Sequence, residues 1–545
     1  MNCQDQIYSE EYIDFIGNRS LIESKYTLDC KQPLGARFAS LYLKLSDGYE
    51  DGTVYGYYNI PKLFGLQDTG SMESSGILQV RENPDLKLDG SGVLIGFVDT
   101  GIDYAGSIFL KQDGTTRVTA IWDQTIPAGS PIRLPAQPEL PETPENITRT
   151  PEGFLYGSEF THEQLNAAVK MEDAYEGISS RDENGHGTFL ASIAAGNELP
   201  DGSFTGAAPK ADIAMVKLKP AKNRLRAYYQ IKEDAVAYQE NDIMAGVLYL
   251  VSLAKKRQQP LVICLGLGTN AGSHRGGLPL ARMLEGLGSS VGITIVAGTG
   301  NETARGHHFE GQISSESGYE DVEIRVAEGE NGFFLELWAN EPETYSVAIR
   351  SPNGEVIPRI YVRPGRIEIL NFALARTRVE LSYRLSVTGT GEFLALLRFI
   401  NITPGVWTVR VYNDLFITGR YHMWLPIESF LRQDTVFLRP SEFITLTSPS
   451  DAANVISVSN YNHQKIVFTY IQGVAILQMA GFVQIWRRLA LKLKVLHRRY
   501  QVWEMNSVVY KEVVQVLQQH IWREQRHYFV SGQEKVGFNI LAVQT

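Results

Sequence analysis

Four near-continuous apolar runs lie between residues 93 and 301: VLIGFVDTG (93–101), ADIAMVKLK (211–219), LVICLGLG (261–268) and GITIVAGTGN (292–301). A strand covered on both faces does not need to alternate, so runs of this kind read as buried strands of a parallel sheet. Helical stretches separate them. HGTFLASIAAG (186–196) is a buried helix of small residues, and residues 233–256 and 279–289 carry helical periodicity. Strands alternating with helices predict an α/β unit of three layers, its parallel sheet covered on both sides. VISVSNYN (455–462) resumes the sheet. The stretch 121–165, rich in Pro, Thr and Glu, reads as loop.

The period changes after residue 310. VEIRV, FFLELW, YSVAIRSPNG and GVWTVRVYN alternate at period two, with turn residues between them. Residues 311–440 therefore read as an inserted all-β module of jelly-roll or sandwich type. The organisation predicted is a mixed segment over 1–75, an α/β domain over 76–310 and 441–464, the β insert, and a tail over 465–545. A chain of 545 residues has room for all four.

The tail differs in kind. Residues 1–464 hold 40 Lys and Arg against 57 Asp and Glu, a balance of −17; residues 465–545 hold 11 against 4, a balance of +7. The tail has no Asp, Pro or Cys, and only 4 of the chain's 49 glycines. The net charge of −10 argues against nucleic acid as a partner. Three widely spaced cysteines, Cys3, Cys30 and Cys264, argue against a disulfide framework and for a reducing compartment. No basic region followed by an apolar run opens the chain, so no signal peptide is expected. No stretch of 18 apolar residues predicts a transmembrane segment. A cytoplasmic location is expected.

Two motifs carry chemistry. DTGID (99–103) follows an apolar strand, which puts Asp99 at a carboxyl end, where sites form in open α/β sheets. A strand-end Asp capping a turn is the plainer reading of that residue alone. NGHGTFLASIAAG (184–196) sets His186 between two glycines, which allow close approach of backbone and substrate. Downstream stand GAAP (206–209) before a strand, and AGTGNET (297–303).

In this order and spacing the motifs resemble the subtilase family of serine proteases, over about residues 80–300 and 443–464. The resemblance implies a subtilisin-like fold with a short N-terminal prodomain. It implies His186 as general base and Asp99 as the group that orients the imidazole. Asn301 would donate to the oxyanion, a contact worth roughly 3–4 kcal/mol in subtilisins. Leu265, Gly266, Leu267 and Gly268 would line the substrate cleft. VLIGFVDTGIDY and LGTNAGSHRGG look most like the Csp germination proteases of spore-forming bacteria, which implies limited proteolysis of a protein or peptide substrate such as a zymogen, and a cytoplasmic or spore-associated location. Some of that group lack catalytic residues, so the alternative is a pseudoprotease that binds or regulates. No cofactor is required. Calcium is common in the family, but no metal-ligand cluster can be named.

The family's nucleophile should stand in a GTSxAxxxxAG segment near the C-terminus, and no GTS follows residue 301. Ser507 (EMNSVV) and Ser531 (FVSGQE) lack that context, so this frame contains no identifiable nucleophile. A shifted frame offers one. Each triplet is read as the third base of one codon plus the first two of the next. Gln464–Phe468 can be written CAA AAA ATA GTT TTT, and one added A gives QKNSF. From Ile471 the new frame can read SGRGYSTNGRIRPDLAAPGV. From Val513 to Tyr528 it can read GTSIATAHLAGAAALL, with the serine codon straddling Gln515 and Val516. The tail is thus expected to be out of frame.

Overall fold

The computed structural model describes residues 3–25, 30–44, 56–66, 88–134, 147–199 and 204–459. The 465–545 tail, with Ser507 and Ser531, lies outside the described residues, as does the stretch just before Leu86.

A seven-stranded sheet forms the centre of the α/β part. Its spatial order is Ile456–Val458, Ile293–Gly298, Leu261–Leu265, Leu94–Asp99, Asp212–Lys217, Val118–Asp123 and Ser158–Thr161. The first six run parallel, and Ser158–Thr161 closes the edge antiparallel to Val118–Asp123. Every residue of Leu94–Asp99 is buried. Leu94 and Val98 join one core with Leu250 and Leu284, while Ile95 and Phe97 join a second core with Leu190 and Met215. Both faces of the strand are therefore apolar, and each such side chain contributes about 1.5–3 kcal/mol. Gly96 lets the Glu240–Arg257 helix sit close, since a Cβ there would lie 2.7 Å from Leu250 Cδ1. Among the described residues no helix is long and apolar enough to cross a membrane.

One part of the sequence reading is overturned here. The stretch 121–165 includes the end of strand Val118–Asp123, the whole strand Ser158–Thr161 and the start of helix His162–Val169. Pro and Thr dominate the connection between these strands and mask the short apolar runs at its ends.

From His308, strands alone continue to Phe437 apart from one 3-10 turn. They form two antiparallel sheets of six and five strands around a shared core that includes Leu335, Val347, Phe399, Trp407 and Val409. Strand Gly332–Ala339 is buried along its whole length. Leu335 and Leu337 point into the module, whereas Trp338 joins the α/β core and Glu336 Oε2 accepts from the Gly272 amide at 2.9 Å. This strand is the seam between the two parts.

The N-terminal residues form a small antiparallel sheet in the order Tyr12–Asn18, Phe38–Lys44 and Lys31–Leu34, preceded by helix Cys3–Tyr8. Cys3 and Cys30 are joined by a disulfide, contrary to the expectation of three unpaired cysteines; Cys264 alone is free. The first helix folds back beside the start of Lys31–Leu34, a proximity that a separation of 27 residues does not disclose.

A buried polar cluster fastens this segment to the α/β part. Asp14 accepts from Lys222 Nζ at 2.6 Å, Gln239 Nε2 at 2.9 Å and Asn241 Nδ2 at 3.0 Å. Removing one partner of a buried ion pair strands the other charge. Lys222→Ala should therefore cost about 3 kcal/mol, seen as a lower urea midpoint with unchanged slope. Loss of under about 0.5 kcal/mol, the usual range for a surface change, would show that the pair is not holding the segment.

Candidate active site

Asp99 ends its strand and is 1% exposed. Its Oδ1 lies 2.8 Å from His186 Nδ1 and accepts from the Thr100 amide at 2.7 Å. An ionised carboxylate only accepts, so Nδ1 carries the proton in this pair and Nε2 is left as the basic nitrogen of neutral imidazole. The second carboxylate oxygen, Oδ2, is buried without a hydrogen-bond partner among the described residues.

His186 opens helix His186–Ala195. Gly185, the residue before it, takes φ +87° and has no side chain to cap the helix. Asp182 supplies the cap instead. Its Oδ2 accepts from the Thr188 amide at 2.8 Å and the Thr188 hydroxyl at 2.7 Å, and its Oδ1 from the Gly185 amide at 2.9 Å and the Thr100 hydroxyl at 2.7 Å. Burial alone would raise the Asp182 pKa, but these donors outweigh it and hold the carboxyl below its usual range. The negative charge also suits the positive end of the helix. Thr100 closes the circuit, because its hydroxyl accepts from the Gly187 amide at 2.9 Å. Gly187 is required for the contact: a Cβ there would lie 2.2 Å from the Gly101 carbonyl. The turn after Asp99 and the first turn of the histidine helix are thus locked together. Sequence reading passed over Asp182, although an acid three residues before a Gly-His-Gly at a helix start is a cap signal.

Gly266 lies beneath the pair. A Cβ on it would be 3.0 Å from His186 Cε1 and 3.4 Å from Asp99 Oδ2. Leu265 and Leu267 are 2% and 0% exposed, with strand Leu63–Leu66 lying along this segment. What this segment offers is its backbone edge. Leu267 and Gly268 pair antiparallel with Leu66 and Gly65, and Leu63 and Phe64 pair on the other side with Gln239 and Tyr238. The register carries the N-terminal segment toward Gly266 and hence toward His186. Asn301 follows strand Ile293–Gly298 at the same carboxyl edge and is half-buried. Among the described residues it hydrogen-bonds to neither Asp99 nor His186.

Cys264 does not replace the missing nucleophile. Burial, with a smaller push from Asp99, raises its thiol to about 12, so the reactive thiolate is scarce at neutral pH. No cluster of three or more metal-ligating side chains occurs among the described residues.

A buried carboxylate orienting a histidine at the carboxyl edge of a parallel sheet defines a class, and the comparisons identify it. Residues 90–331 match the subtilase family (Peptidase_S8), so this part of the chain is similar to a subtilase domain. The solved structure of the CspB protease of Clostridium perfringens is similar at a TM-score of 0.61 and 26% identity, over 74% of this chain and 75% of that one. The subtilisin-like protease SBT3.8 of Arabidopsis thaliana is 30% identical over 144 residues, 24% of this chain. That match spans only 16% of the plant protein's length.

Proposed function

We propose that this chain is a subtilisin-type serine endopeptidase by descent, acting in spore germination on a protein zymogen, and that the chain as written has lost its nucleophile to a frameshift near codon 464. The Asp99–His186 pair, 2.8 Å apart at the carboxyl edge of the sheet, carries the reading. In the intact enzyme His186 Nε2 takes the proton of a serine hydroxyl as that oxygen attacks the scissile carbonyl. Asp99 keeps the imidazole in the productive tautomer and stabilises its cationic form. Asn301 donates to the oxyanion of the tetrahedral intermediate. A peptide substrate adds as an extended strand along Leu267–Gly268, the edge now filled by Leu63–Leu66. The first 75 residues act as a prodomain, whose strand Leu63–Leu66 lies on the edge that a substrate would use.

Without the serine the rate should fall roughly a millionfold below that of an intact triad. A serine-directed fluorophosphonate probe should leave the purified chain unlabelled, and self-cleavage of the N-terminal segment should not occur. Stoichiometric labelling of a serine, abolished by His186→Ala, would mean that a nucleophile is present in this frame.

A further inference from the structure

A cavity of about 40 Å3 opens where the N-terminal segment, the helix Asn223–Tyr229 and the six-stranded sheet of the β module meet, away from Asp99 and His186. Its polar lining is unevenly committed. Glu336 Oε1 accepts from the Tyr57 hydroxyl at 2.6 Å, and Oε2 from the Gly272 amide and Trp338 Nε1, each at 2.9 Å. Glu380 accepts from Arg378 at 2.5 Å and Arg398 Nη1 at 2.9 Å. The acceptors are therefore used. The donors are not. Lys62 is 2% exposed, and Nζ reaches the Tyr57 and Ile60 carbonyls at 2.6 and 3.3 Å, above the Tyr57 ring at 3.6 Å. Among the described residues no carboxylate comes within ion-pair distance of it, and its third N–H is uncommitted. The Tyr229 hydroxyl and Arg398 Nε are buried with no hydrogen-bond partner among the described residues. Phe334, Leu394 and Leu396 supply apolar walls.

We propose that this cavity is a binding site for a small organic carboxylate with an apolar body, its head group held by Lys62, Tyr229 and Arg398. Lys62 and Arg398 can only donate, the Tyr229 hydroxyl is free to donate, and the lining carboxylates of Glu336 and Glu380 already accept from other donors, so the set favours an acceptor. The volume suits a carboxylate head, being room for two or three water-sized groups by the usual measure of roughly 10–15 Å3 each. Burial also drives the Lys62 ammonium down to about 8, against the opposing pull of the Glu336 and Glu240 carboxylates, neither of which lies within ion-pair distance. The site does not depend on peptidase activity. It adjoins the cleft only through the chain, since Lys62 directly precedes Leu63–Leu66.

Calorimetric titration of the full chain tests this with hexanoate and benzoate, set against 1-hexanol and hexylammonium. One carboxylate should bind per chain with Kd in the millimolar range or tighter, and hexanol and hexylammonium at least tenfold more weakly. Lys62→Met should weaken hexanoate at least tenfold, and Tyr229→Phe about three- to tenfold, the usual effect of one hydrogen bond. Lys256→Met, which alters an exposed pair with Glu152, should bind as before. If Lys62→Met does not fold, Tyr229→Phe decides. Equal binding of hexanol and hexanoate, unchanged affinity in the folded variants, or no saturable heat at about 10 mM would overturn the proposal and leave the cavity to water.

Discussion

Inserting one adenine after codon 464 should turn an unreactive protein into one that a fluorophosphonate labels and that cleaves peptide bonds roughly a millionfold faster than the chain as written. The compositional break motivates the experiment. Residues 465–545 abandon the Asp, Pro and Gly usage of the preceding 464, as an out-of-frame translation has no reason to keep it. The shifted frame can yield a GTSIATAHLAGAAALL segment, which supplies both a serine and the small residues that let a helix pack closely. Asp99 and His186 are already hydrogen-bonded and Asp182 already caps the histidine helix, so the serine is the part to be added. The restored product should also release its N-terminal segment, and His186→Ala in that background should abolish labelling and release. A gene whose shifted frame lacks GTS at codons 513–516 would sink the account and favour the pseudoprotease.

Mild acid should destabilise the protein steeply, through three imidazoles packed where the β module meets the α/β part. His308 and His422 stack with ring centroids 5.3 Å apart and share a hydrogen bond of 3.1 Å, and His274 and His308 stack on Trp424 at 4.3 and 4.9 Å. The shared bond needs one ring to accept, which two protonated rings cannot do. Burial holds all three below the usual value, His422 down to about 3. Arg275 and Arg420 push His422 the same way, and Asp451 and Glu336 only partly oppose the shift at His274. Above pH 6.5 folded and unfolded chains are both neutral at these sites, so nothing is lost. Below it the unfolded chain binds protons that the folded one refuses, and stability falls until the folded values are reached. His422, held near 3, then costs about 1.4 kcal/mol per pH unit, roughly 2 kcal/mol at pH 5, and His274 and His308 shift stability in the same direction. Urea titrations between pH 7 and 4.5 measure the slope, and His422→Leu should reduce it by about one proton. An identical slope in the variant would remove His422 from the explanation.

The sequence alone determined the local chemistry of this protein. Apolar runs without alternation mark the strands at 94–99, 261–265 and 293–298, because a strand covered on both faces has no polar side to show. The period-two pattern marks the β module for the opposite reason, strands such as Tyr319–Val326 and Thr377–Arg384 burying only alternate residues. DTG and HGT name Asp99 and His186 because glycine spacing of that kind belongs to a strand end and a helix start. Tertiary structure decided what meets across long separations. It joined Cys3 to Cys30, set Asp14 on Lys222 and brought Leu63–Leu66 beside Leu267–Gly268. It buried Leu265 and Leu267, with that strand lying along them. These outcomes depend on which surfaces bury one another. Periodicity records that a residue is buried and leaves its partner unspecified, and the partner is chosen only when the whole core closes.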